Sequence, residues 1–148
     1  MKLLVIDGQG GGMGKSLVQA LKAALPGQSI AAVGTNAAAT AAMLRAGADM
    51  TATGENAVIY QCQLAEIIVG PMGILCANAM QGEISPAMAA AVSASPAQKV
   101  LLPTERCGIH VVGVTSQTLD AAIAAAVERI KVAAQAGTDA LQLPPDQS

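Results

Sequence analysis

Close to its amino end the chain reads Leu3-Leu4-Val5-Ile6-Asp7-Gly8-Gln9-Gly10-Gly11-Gly12-Met13-Gly14-Lys15-Ser16. Four consecutive apolar residues of strand length suit a central parallel strand, buried on both faces. The glycine cluster follows, and a helical pattern opens directly after it. Strand, glycine loop, helix is the setting in which such a cluster points to phosphate binding. Unpaired backbone N–H groups and the positive end of a helix favour an anion there. Glycine tolerates backbone angles that side chains forbid, but each one adds ordering entropy. Five glycines between positions 8 and 14 exceed what a simple turn requires.

Outward from this stretch, Leu17, Val18, Leu21 and Leu25 repeat at helical spacing and predict a helix over 13–25, ended by Pro26-Gly27. A second strand is expected over 29–33. Gly34-Thr35-Asn36 then turns the chain, and Thr35 or Asn36 is placed to cap an alanine-rich helix ending near Gly47. A short strand over 48–52, a helix through 60–64 and a strong strand over 66–69 follow, the last stopped by Gly70-Pro71. Residues 74–80 look helical. Ser85-Pro86 is a cap followed by proline at the first helical position. Strands are expected over 99–102 and 109–114. The short loop between these two suits an antiparallel hairpin or two segments that bend away from each other, because a parallel crossover needs a dozen or more residues. Ser116 or Thr118 caps a last helix whose buried stripe is Leu119, Ile123, Val127 and Ile130.

This order predicts an α/β fold: a three-layer αβα sandwich, Rossmann-like, with a mostly parallel sheet of five to six strands and an antiparallel edge hairpin. One nucleotide-binding domain is expected over 1–136 and a loose tail over 137–148. In such sheets ligands bind outside the carboxyl ends of the strands. The loops at those ends are 7–14, 34–36, 70–73 and 103–108.

Of the 148 residues, 53% are hydrophobic but only 1% aromatic. Small side chains allow close packing yet bury little apolar area each, which favours a homodimer or higher homo-oligomer. A net charge of -2 with sparse charged residues gives no nucleic-acid footprint. No run reaches membrane-spanning length, and the first apolar run meets Asp7 too soon for a signal peptide. Cys62, Cys76 and Cys107 form no Cys-x-x-Cys pair, so reduced thiols and a cytoplasmic location are expected.

Two functional readings of the loop stand open. Gly8, Gly12 and Gly14 resemble the glycine motif of the short-chain dehydrogenase/reductase family, which implies a dinucleotide pyrophosphate over the loop. That family's Tyr-x-x-x-Lys pair is missing, since Leu64 follows Tyr60 at that spacing. No acidic residue follows the second strand either. Thr35 or Asn36 is left to bond a hydroxyl or phosphate, so NADP or a mononucleotide fits as well as NAD. Alternatively, Gly14-Lys15-Ser16 matches the end of a P-loop, with Lys15 on phosphates and Ser16 on magnesium. The stretch resembles the variant loop of ParA/MinD-type ATPases, but Gln9 replaces the first Walker glycine and Gly10 their signature lysine. A third reading is structural: the glycines let helix and sheet pack, and the surface serves a partner.

Asp7 ends the first strand and is placed to brace the glycine loop or hold a metal or water. Glu55 is a candidate base or ribose ligand, or a helix cap. Asn78 and Glu83 are polar among apolar neighbours and need partners if buried. In Arg106-Cys107-Gly108-Ile109-His110, Arg106 suits a phosphate or carboxylate. Cys107 and His110 would point to opposite sides of a strand, which weakens a dyad. With one histidine there is no zinc spacing.

Asp7-Gly8-Gln9-Gly10-Gly11-Gly12, Gly14-Lys15, Gly34-Thr35-Asn36, Ala52-Thr53-Gly54-Glu55-Asn56, Gly70-Pro71-Met72-Gly73, Gly82-Glu83-Ile84 and Arg106-Cys107 together resemble the DUF3842 family of small bacterial proteins, over roughly residues 1–130. The resemblance implies a stand-alone domain and no assigned activity. The expected function is therefore binding of a nucleotide, NAD(P) or another, through Gly8, Gln9, Gly10, Gly11, Gly12, Met13, Gly14 and Lys15, with Thr35, Asn36, Glu55 and Arg106 facing it. No catalytic residue is assigned and no metal is expected.

Overall fold

A computed structural model describes residues 1–104 and 108–136. Five strands form one sheet: β1 (Leu3–Asp7), β2 (Ile30–Gly34), β3 (Met50–Thr53), β4 (Ile67–Pro71) and β5 (Gln98–Leu102). Their order is β3-β2-β1-β4-β5, and every neighbouring pair is parallel. The helices are α1 (Gly12–Ala24), α2 (Ala37–Arg45), α3 (Glu55–Leu64), α4 (Pro86–Ala94) and α5 (Leu119–Ala136). The α/β, Rossmann-like reading of the sequence holds.

The central strand β1 and its neighbour β4 are buried at every residue. Their alternate side chains feed two separate cores. Leu3, Val5, Ile67 and Val69 pack with Leu17, Leu21, Met43, Val127 and Ile130 on one face. Leu4, Ile6 and Ile68 pack with Val58, Cys62, Met88 and Val92 on the other. Aliphatic side chains and methionines fill both layers, and the single aromatic, Tyr60, is exposed.

Helix starts follow their sequence signals. Asn36 caps α2, its Oδ1 accepting the Ala39 N–H at 2.9 Å. The Ser85 hydroxyl accepts the Met88 N–H at 3.2 Å with Pro86 as the first helical residue. Thr118 Oγ1 accepts the Ala121 N–H at the head of α5.

Two expectations are corrected. Residues 109–114 form no strand, so no antiparallel hairpin edges the sheet. Gly108 and Gly113 both adopt positive φ, and a turn closes from the Val114 N–H to the Val111 carbonyl. That curvature is incompatible with a pleated edge. Residues 74–80 are not an α-helix either. A 3-10 helix (Met72–Leu75) is followed by turns in which Asn78, Met80, Gln81 and Gly82 all have positive φ. The Asn78 N–H bonds forward to the Ile84 carbonyl at 2.7 Å, which folds the segment into a hook. The expected tail over 137–148 lies outside the described residues.

Candidate functional site

The strand order reverses between β1 and β4, the two strands whose neighbouring crossovers leave in opposite directions. Open parallel sheets bind ligands at that switch point, beyond the carboxyl ends of the strands. A cavity of about 740 Å³ lies there.

The glycine loop is held at both ends by one buried side chain. Asp7, 4% exposed, ends β1. Its Oδ1 accepts the Gly8 N–H at 2.8 Å and its Oδ2 the Gly14 N–H at 2.6 Å. The Gly11 N–H closes a turn onto the Gly8 carbonyl at 2.9 Å. Burial raises the Asp7 pKa; the bonds from Gly14 and Gly8 act against that rise, and the nearby charge of Glu83 adds to it.

The five glycines divide into two sets. A Cβ on Gly8 would stand 2.5 Å from Thr35 Oγ1, and one on Gly14 2.7 Å from both Asp7 Cβ and Met43 Sδ. Gly11 has φ +72° and would place a Cβ 2.7 Å from the Ala39 backbone. These three are demanded by packing and backbone geometry. Gly10 and Gly12 are not, since nothing lies within 4 Å of where their Cβ atoms would be. Among the described residues, the N–H groups of Gly10, Gly12 and Met13 have no bonding partner. All three residues line the cavity, at the start of the 13-residue helix α1.

The opposite wall comes from β4 and the hook behind it: Pro71, Gly73, Ala79, Met80 and Gln81, with Thr104 after β5. Met80 Sδ lies 2.6 Å from the position of a Gly8 Cβ, and its Cε 4.0 Å from that of a Gly73 Cβ. Its side chain thus reaches between the loops of β1 and β4. Among the described residues, four non-glycine residues have positive φ: Gln9, Asn78, Met80 and Gln81. Three of them, Gln9, Met80 and Gln81, line this one cavity. A left-handed conformation costs about 1–2 kcal/mol per such residue, and strain of this kind gathers at functional sites.

The hook also delivers Glu83. Its Oε1 accepts the Thr35 hydroxyl at 2.7 Å, the Asn36 amide at 2.6 Å and the Gln9 N–H at 3.0 Å. The hydrogen bond from Thr35, then those from Gln9 and Asn36, hold its pKa below the ordinary 4.5 against a smaller effect of burial. The need for a partner at Glu83, legible in the sequence, is met. A carboxylate with a lowered folded-state pKa adds stability above its unfolded value and loses it as pH falls through the folded one. Below pH 4.5, the wild type therefore loses stability that a Glu83→Gln variant lacks at every pH. Asp49, held low by the Lys22 ammonium, acts in the same direction. Asp7 has the opposite sign: its contribution is present below 3.8 and is lost as pH rises through its raised pKa. Urea melts between neutral and acid pH check this, and an unchanged acid slope in Glu83→Gln would overturn it.

Of the residues singled out from sequence, Gly8, Gln9, Gly10, Gly11, Gly12 and Met13 line the cavity. Gly14 sits behind it on Asp7. Lys15 is exposed on α1, outside the cavity wall. Thr35 and Asn36 turn to Glu83 instead, and Glu55 is drawn away by a bond from the Ser85 hydroxyl at 2.9 Å. Arg106 and Cys107 lie outside the described residues. Met80 and Gln81 were not legible as wall residues, because no pattern marks an uninterrupted polar–apolar turn as left-handed. Cys62 is buried, which pushes its thiol up to about 11 and makes it a poor nucleophile. Among the described residues no three His, Cys, Asp or Glu side chains group to hold a metal ion, and no helix is long and apolar enough to cross a membrane.

Among solved structures the chain is similar to a dodecameric FMN-dependent UbiX-like decarboxylase from Escherichia coli O157:H7. Identity is 20%, 88% of this chain and 76% of that chain are covered, and the TM-score is 0.47. No curated protein matches the chain. The family model described as "Domain of unknown function (DUF3842)" matches residues 2–135, the strands, the glycine loop and the Glu83 hook included, and the chain belongs to that family.

Proposed function

We propose that this protein binds a nucleotide or dinucleotide by its phosphate, seated on the N–H groups of Gly10, Gly12 and Met13. The observation that carries the reading is the division of the glycines. Packing accounts for Gly8, Gly11 and Gly14, whereas Gly10 and Gly12 leave open space and unpaired donors at the cavity. Donors at the positive end of a long helix, at a switch point, suit an anion. Isothermal titration with NAD, NADP, FAD, ATP and GTP tests it, together with mass spectrometry of any small molecule that co-purifies. At least one nucleotide binds with a Kd below about 1 mM, near 4 kcal/mol. If none does, the reading falls. The alternative of a magnesium-dependent triphosphatase requires Lys15 at the phosphates; ATP hydrolysis lost in Lys15→Ala would favour it.

An oligomer is part of the same proposal. Val111, Val112, Val114 and Leu119 are 42%, 97%, 47% and 45% exposed on neighbouring stretches of chain. A second copy covering them would remove this apolar surface from water. Light scattering after size exclusion should give more than one chain per particle, reduced in Val112→Asp. A wild type that is monomeric at high micromolar concentration would contradict this. Unpaired Cys62 and Cys76 suit the reducing cytoplasm.

A further inference from the structure

Which part of a nucleotide the crevice accepts depends on what already covers the strand ends. In a dinucleotide site the ligand spans both sides of the switch point, and one ribose rests at the end of the second strand. Here that end carries Thr35 and Asn36, two side-chain donors suited to a hydroxyl or phosphate. Both are taken. Glu83 Oε1 receives the Thr35 hydroxyl, the Asn36 amide and the Gln9 N–H together. Asn36 is held further by its bonds to the Gln9 carbonyl at 2.9 Å and to the Ala39 N–H.

Two residues on, the Ser85 hydroxyl donates to Glu55 Oε1 at the head of α3, beyond β3. Residues 83–85 therefore lie as a strap over the carboxyl ends of β2 and β3. The cavity agrees with this: its walls come from the loops after β1, β4 and β5, and no residue after β2 or β3 contributes. The strap is anchored by the left-handed turn at Met80, Gln81 and Gly82, whose positive φ angles aim Glu83 back across the glycine loop.

We infer that the site takes a mononucleotide-sized ligand and that Glu83 is the residue that excludes dinucleotides, by occupying with its own carboxylate the half-site that Thr35, Asn36 and the Gln9 N–H would otherwise offer. This rests on the phosphate site proposed above. A ligand phosphate on Gly10, Gly12 and Met13 then directs the rest of the molecule toward Met80 and Thr104. A second nucleotide half would have to displace a carboxylate held by three donors, and would bring a phosphate toward its negative charge.

Calorimetric titration of the full chain with AMP, GMP, FMN, NAD and NADP tests this. In the wild type the best mononucleotide binds at least about tenfold more tightly than either dinucleotide, a difference near 1.4 kcal/mol. In Glu83→Ala that ratio narrows to about threefold or less, as NAD or NADP gains access to Thr35 and Asn36. Should Glu83→Ala fail to fold, Glu83→Gln keeps the shape but removes the charge, and the ratio moves the same way by less. Equal affinity of the wild type for mono- and dinucleotides overturns the inference while leaving the phosphate site standing. So does a ratio unmoved by both substitutions. Absence of binding by all five probes overturns the phosphate site itself, and this inference with it.

Discussion

Gly11→Ala lowers the unfolding free energy by about 2–4 kcal/mol, whereas Gly12→Ala leaves it unchanged or raises it by up to about 1 kcal/mol. The two residues are neighbours in one loop, and the difference comes from their surroundings. Gly11 must hold φ +72° with its Cβ position 2.7 Å from the Ala39 Cα, where backbone cannot yield. Gly12 begins α1 with nothing within 4 Å, so a methyl group there meets no clash and gains helix propensity. Gly10→Ala stays within about 0.5 kcal/mol of the wild type for the same reason. Ligand affinity runs the other way. A methyl at Gly10 or Gly12 enters the space in which a phosphate would reach their N–H groups, so each substitution weakens nucleotide binding by about tenfold or more at intact stability. Urea unfolding and calorimetry on the same samples read both effects. Stable Gly10→Ala and Gly12→Ala variants with undiminished affinity would remove the phosphate from this loop.

Asp7→Asn costs about 2–3 kcal/mol, and Asp7→Ala about 2–5. The carboxylate offers one oxygen to each end of the loop, to Gly8 and to Gly14. Asparagine keeps a single acceptor and turns an NH₂ toward the second N–H, leaving a buried donor unpaired. The cost lies in the lost acceptor: the bonds from Gly14 and Gly8 favour the carboxylate and act against the rise that burial gives its pKa. Loosening the Gly14 anchor also frees the start of α1, so anion affinity falls with stability. Thermal or urea melts above and below neutral pH measure the first effect. An Asp7→Asn variant as stable as the wild type would show that the two bonds do not hold the loop.

Much of the fold could be read directly from the residues. Leu3 to Ile6 is apolar at every position and proves to be a strand buried on both faces. The stripe Leu17, Val18 and Leu21 is the buried face of α1, and Ser85-Pro86 does begin α4. These signals are local: alternation, helical period and caps act within a few residues of chain. Residues 109–114 are rich in valine and suggested a strand, yet Gly108 and Gly113 curve them into turns, and β5 remains the sheet edge. Propensity cannot say whether a neighbouring strand lies within reach.

The site divides in the same way. The glycine loop, its place after a parallel strand and its position at the head of a helix were legible, because strand, loop and helix are contiguous. Thr35, Asn36 and Glu55 had the right chemistry to face that loop, but distant residues take up their bonds: Glu83 lies 47 and 48 positions from Asn36 and Thr35, and Ser85 is 30 from Glu55. The sequence by itself determined an α/β sheet with a glycine-rich helix start, since local patterning and backbone chemistry are enough to specify both. Only the tertiary structure decided which glycines serve packing and which stay open. It alone also set Asp7 as the loop's anchor and Glu83 across the end of β2. Those outcomes depend on which atoms of remote segments come within 3–4 Å of one another, and the folded sheet order sets that distance.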